Sequence, residues 1–185
     1  MESSPTKPGK EGTRQRILEA AVAELASSEL TDWTVERVAS RAVCAKGLVL
    51  YHFGSKQALV GQIAAEVTTA RWSARAKALK LPPAKAIERL WELLSGEVTS
   101  GTFRLWLSLA AASATATIAS LSTSQRQQLA TAAAATFRIP AKDPALTTLP
   151  AILDGFQLLL LQGVAEAEVR EGFDSYWLEL LERAG

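Results

Sequence analysis

The chain has a single cysteine, a single histidine and a single methionine. One cysteine excludes an intramolecular disulfide framework, and one histidine beside one cysteine is too few soft ligands for a structural zinc site. Paired carboxylates at catalytic spacing, a nucleophile with its base, and a glycine-rich phosphate loop after a strand are all missing, so no enzyme and no cofactor is expected. No uninterrupted apolar run approaches the ~18 residues of a membrane span, and the opening MESSPTKPGKEG has no apolar core of a signal peptide. A cytoplasmic protein with no membrane partner and a disordered basic tail over residues 1–12 is expected. Sustained apolar alternation is absent too, which leaves strands without support.

What remains is helical periodicity. Nearly half of the 185 residues are apolar, enough for a sizeable core. Ile17, Leu18, Ala21, Val22 and Leu25 mark an amphipathic helix opening near Thr13. Thr34 caps a second helix to Arg41, a third spans Ala45 to Tyr51 or His52, and Ser55 caps a long one ended by Pro82. Pro83 suits the first turn of a fifth helix, closed by Gly96 or Gly101. Further helices follow from Phe103 to Ile118, with Leu121 to Ser124 as a break, from Gln125 to Phe137, and from Asp143 through Leu160. Gly172 is expected to separate a last one bearing Phe173, Trp177 and Leu180. The fold class is all-α, with about nine helices and a composition shift near residue 60.

The pair over residues 34–56, TVERVASRAVCAKGLVLYHFGSK, is too short to bury much by itself. A short helix, tight turn and second short helix of this kind point to DNA reading. Basic charge gathers there and in the tail, at Lys7, Lys10, Arg14, Arg37, Arg41, Lys46 and Lys56, as phosphate contact requires. Glu19, Glu24, Glu29 and Asp32 lie between them with no basic partner evident in sequence.

The run Thr13, Arg14, Ile17, Leu18, Ala20, Ala21, Leu25, Thr34, Val35, Val38, Ala39, Ala42, Gly47, then Tyr51, His52, Phe53, Ser55, Lys56, Ala58, Leu59 resembles the N-terminal domain of the tetracycline-repressor (TetR) family. The resemblance implies a helix-turn-helix DNA-binding domain over 13–60 and a ligand-binding and dimerisation domain over 61–185. It places Ala45, Lys46, Gly47 and Leu48 at the start of the recognition helix, and Thr34, Tyr51, His52 and Lys56 where phosphates are held. Lys46 has the chemistry to meet guanine O6 and N7. Where the family usually has Gly-Val-Ser in the turn, this chain has Val43, Cys44 and Ala45. A positive φ at Val43 would carry strain of ~1–3 kcal/mol.

In that architecture Trp72, Trp91, Phe103 and Trp106, with Thr117 and Gln157, are the candidate ligand residues, and Arg104 is the one cation expected among them. An apolar or aromatic effector is expected. Phe156, Leu159, Leu160, Gly163, Trp177 and Leu181 are the candidate homodimer face. The resemblance implies a ligand-responsive regulator, a repressor, that binds a near-palindromic double-stranded operator as a dimer and is released by a small-molecule effector. The alternative is a helical interaction or ligand-sequestering protein with weakened or lost operator binding.

Overall fold

A computed structural model describes residues 10–27, 33–112 and 116–184, with side chains over 10–26, 33–111 and 123–182. The described residues form nine α-helices and no strand. These are α1 (Lys10–Ser27), α2 (Val35–Arg41), α3 (Lys46–Phe53), α4 (Lys56–Ala78), α5 (Pro83–Thr99), α6 (Thr102–Ala112), α7 (Ala116–Phe137), α8 (Pro144–Leu161) and α9 (Glu166–Ala184). The chain divides into two compact units, Met1–Ala64 and Ala65–Gly185, so the division falls four residues beyond the shift near 60.

In the first unit α1 packs on α2 and α3, and α2 on α3. Ile17, Leu18, Ala21 and Leu25 of α1 are buried, as are Val38, Val49, Leu59 and Ile63, which is the core of this unit. Trp33 belongs to it at 1% exposure, immediately before α2. The Thr34 hydroxyl accepts from the Arg37 amide at 3.2 Å, the N-cap expected of it. Ser55 likewise accepts from the Ala58 amide at 3.1 Å. The first helix starts earlier than Thr13: Lys10, Glu11 and Gly12 are helical, while residues 1–9 lie outside the described ones.

The turn after α2 is a Schellman motif. The Val43 amide donates to the Ser40 carbonyl at 3.1 Å and the Cys44 amide to that of Ala39 at 2.9 Å. That closure puts its C′ residue in the left-handed region, where glycine is the usual occupant. Here it is Val43, at φ 50° and 87% exposed, so the branched side chain is strained and finds no compensating burial. Val43→Gly is expected to stabilise the first unit by ~1 kcal/mol, net of the extra freedom of the unfolded chain, as read from the urea midpoint.

In the second unit α8 packs against α5, α7 and α9, and α5 against α6. Leu90, Leu94, Leu129, Leu149, Leu153, Phe173 and Trp177 form its centre. Pro83 occupies the first turn of α5, and Asp143 caps α8 through the Ala145 amide at 2.8 Å. Two expected breaks do not occur. Leu121 to Ser124 lie inside α7, and Gly172 lies inside α9. Packing overrides the weak local preference of these residues, as it does for Pro150 inside α8.

Candidate nucleic-acid interface and ligand site

The exposed side of the first unit carries the predicted DNA residues, but its charges are largely spoken for. Glu24 is 4% exposed, and its carboxylate pairs with both Arg37 and Arg41, tying α1 to α2. The sequence had shown no basic partner for Glu24 because the partners are a helix away. Lys46, at the first position of α3, is paired with Glu36 of α2, and hydrogen bonding from Lys46 holds the Glu36 carboxyl below its usual range. Ala45, the N-cap of α3, makes no side-chain cap. Lys56 donates to the Trp33 carbonyl at 2.9 Å, and its ammonium stands 4.5 Å from the centre of the Trp33 ring.

At the other end of α3 a cleft of about 560 Å³ is lined by Lys10, Glu11, Arg14, Tyr51 and His52. Lys10 lies over the Tyr51 ring at 5.4 Å, Arg14 over that of Phe53 at 5.0 Å, and Tyr51 is 68% exposed. Two cations, a phenol and an imidazole bordering one cleft suit a phosphodiester strand. Thr34, Ala45, Lys46, Gly47 and Lys56 are all exposed, whereas Leu48 is half-buried.

The second unit holds a polar centre that the sequence did not reveal. Arg71 and Arg75 of α4 are buried, with 2% and 0% exposure, as are Thr68 and Gln157. Arg71 Nε donates to Glu97 Oε2 at 2.8 Å, and its Nη2 to Asp154 Oδ1 at 3.0 Å and Gln157 Oε1 at 2.7 Å. Arg75 reaches the same three oxygens: Asp154 Oδ1 at 2.9 Å, Glu97 Oε2 at 3.2 Å and Gln157 Oε1 at 2.6 Å. Gln157 Nε2 donates in turn to the Leu94 carbonyl and to Glu97 Oε2. Two guanidinium charges thus meet two carboxylates across α4, α5 and α8, which is what burial of charge demands. Burial, and then the Arg75 charge, hold the Arg71 guanidinium below its usual range despite Glu97 and Asp154. Its plane covers an aromatic pair: Cζ is 4.2 Å from the Trp106 ring centre and 5.2 Å from that of Phe103, and those rings stack at 5.9 Å.

Residues 17–63 match the family profile described as bacterial regulatory proteins, tetR family. Over those residues the chain carries the N-terminal domain of that family. Solved structures extend the likeness over the rest of the fold. A transcriptional regulator from Saccharomonospora viridis in complex with choline shares 20% identity over 90% of this chain and 95% of its own, with a TM-score of 0.72. A TetR-family regulator from Rhodococcus sp. covers 91% and 98% at 18% identity, with a TM-score of 0.67. The multidrug binding protein EbrR complexed with ethidium covers 88% and 97% at 22% identity, with a TM-score of 0.63. The search of curated proteins returns no match.

Within this TetR fold the predicted ligand residues do not form one group. Phe103 and Trp106 adjoin Arg71. Gln157 has its carbonyl and amide both engaged by the arginine centre. Trp72 is core at 2% exposure, and Trp91 packs on Phe173 at 5.3 Å with Arg170 above it. The Thr117 side chain lies outside those described. Arg104 is exposed, and the buried cations of the second unit are Arg71 and Arg75 instead. An open groove of about 870 Å³ beside α4 and α7, lined by Lys80, Gln127, Gln128 and Thr131 among others, contains none of the predicted residues.

The candidate dimer residues divide similarly. Leu159 is 41% exposed, and Phe156, Leu160 and Leu181 are half-buried. Gly163 closes α8 at φ 85°, with the Val164 amide on the Leu159 carbonyl, so its conformation is explained by the cap. Trp177 is 1% exposed and packs on Phe137 at 4.8 Å, inside the subunit. Leu158 and Leu178, at 42% and 62% exposure, are the outward apolar residues that the periodicity had not singled out.

Proposed function

We propose that this TetR-family regulator is a ligand-responsive repressor that binds a near-palindromic operator as a homodimer and is released by a small effector. The observation that carries this reading is α4, one uninterrupted helix whose first residue, Lys56, is a candidate phosphate contact and whose later turns hold Arg71 and Arg75. An effector that favours one setting of that helix would favour one spacing of two recognition helices, and only differential affinity for the two settings can shift their balance. The choline and ethidium complexes of the structural neighbours support a ligand site in this body. For the homodimer, the support is α8: it is mostly apolar, yet only five of its 18 residues, Leu146, Leu149, Pro150, Leu153 and Gln157, are buried in the subunit. Outward Leu158, Leu159 and Leu178 suit a copy of themselves across a twofold axis. A cytoplasmic setting accords with DNA as partner.

The pairing of Lys46 with Glu36 favours a second reading, an interaction or ligand-sequestering protein with weakened operator binding. Selection from a randomised duplex library separates the two. A repressor enriches one inverted repeat and binds it at least ~10³-fold more tightly than random duplex at physiological salt. A protein that has lost its operator enriches nothing. On the enriched duplex, Lys46→Ala is expected to relax preference at one base position of each half-site at a cost of ~1–3 kcal/mol, measured by fluorescence anisotropy.

A further inference from the structure

The arginine centre of the body leaves hydrogen-bond donors unspent, and they cluster. Among buried side-chain atoms without a partner are Thr68 Oγ1, Arg71 Nη1, Trp72 Nε1 and Arg75 Nε of α4, and Trp106 Nε1 of α6. Positions 68, 71, 72 and 75 are spaced i, i+3, i+4 and i+7, one stripe of the helix. A buried donor without an acceptor is costly, and natural structures keep few of them. Of these, Arg71 Nη1 and Trp106 Nε1 belong to groups already in contact, with the guanidinium carbon 4.2 Å from the indole ring centre. Thr68 lies one turn before Arg71. Trp106 is half-buried, as are its neighbours Leu107 and Ser108, so the indole lies near the surface while its Nε1 does not reach it.

One oxygen of each carboxylate, Asp154 Oδ1 and Glu97 Oε2, and the Gln157 carbonyl are already shared between the two guanidinium groups. The face of Trp106, where a cationic ligand would stack, is taken by Arg71. A cation arriving beside Trp106 would meet the Arg71 guanidinium on the ring face, with Arg75 behind it. An anion would meet unspent N–H groups of a cation and an indole, with a stacked aromatic pair beside them.

We propose that this corner binds a flat aromatic carboxylate, whose oxygens accept from Arg71 Nη1 and Trp106 Nε1 while its ring adjoins Trp106 and Phe103. The inference rests on the reading of the body as the effector site and names the class of that effector. It is opposite in charge to the choline and ethidium of the structural neighbours.

Three probes of one ring system and different charge test it on the full chain: 2-naphthoate, 2-naphthalenemethanol and 2-naphthylmethylammonium. Binding to the folded state raises the melting temperature, so thermal shift at millimolar probe followed by calorimetric titration reads all three. Naphthoate is expected to bind ~10-fold or more tightly than either of the others, since a charge-assisted hydrogen bond separates them. Trp106→Phe, which keeps the ring and loses Nε1, is expected to weaken naphthoate ~5–10-fold and leave the alcohol within ~2-fold. Arg71→Lys, which keeps the charge, is the second variant, and loss of naphthoate preference in it supports the same assignment. Equal or tighter binding of the alcohol or the ammonium overturns the anionic class and leaves the effector site standing. Absence of any shift with all three overturns the proposal together with the site.

Discussion

Arg75→Met is expected to lower the unfolding free energy of the body by ~3 kcal/mol, because it leaves two half-buried carboxylates short of their counter-charge. Arg75 is fully buried and donates to Asp154, Glu97 and Gln157 at once. Without it, Asp154 Oδ1 and Glu97 Oε2 retain Arg71 as their only cationic partner in this centre. Methionine fills much of the volume, so the loss reports charge and hydrogen bonding more than a cavity. Urea unfolding monitored by tryptophan fluorescence measures it. A loss below ~1 kcal/mol would mean that the centre is solvated and that its donors need no ligand. Double-mutant cycles with Glu97→Gln would then apportion the energy between the two acids.

Trp33→Ala is expected to abolish DNA binding without touching a DNA-facing side chain. A buried tryptophan removed from a core costs ~3–5 kcal/mol, a large part of what a three-helix unit of this size possesses. Trp33 is 1% exposed, and its ring lies under the Lys56 ammonium while its carbonyl accepts from the same group. The side chain therefore joins the start of α2 to the start of α4. Hydrogen exchange is expected to show α1 to α3 losing protection while the core amides of α5, α8 and α9 keep theirs. Retention of both DNA affinity and protection in α1 to α3 would remove Trp33 from this role.

Local signals in the sequence reached the structure intact. Thr34, Ser55 and Asp143 cap where their side chains and the following apolar pattern said they would, because an N-cap is decided within three or four residues. The strain expected at Val43 is present, since a Schellman closure is equally local. Signals that depend on distant partners did not. Arg71 lies 86 residues from Gln157, 26 from Glu97 and 83 from Asp154, so no window of sequence shows that RWSAR points two guanidinium groups inward. Trp177 looked like part of an outward stripe of α9, yet Phe137, 40 positions earlier, draws it into the core. Glu24 looked unpaired until α2 folded back over α1. Serine, threonine and glycine at 121–124 and 172 read as breaks only because composition carries no record of the packing that overrides it.

The proposed repressor requires paired recognition of DNA by two helix-turn-helix heads. Hydroxyl-radical footprinting on the duplex enriched by selection tests this most directly. Two protected segments on one side of the helix, with centres ~10 base pairs or a multiple of that apart, are the predicted result. A single protected segment, or none at protein concentrations that saturate the anisotropy signal, would contradict it.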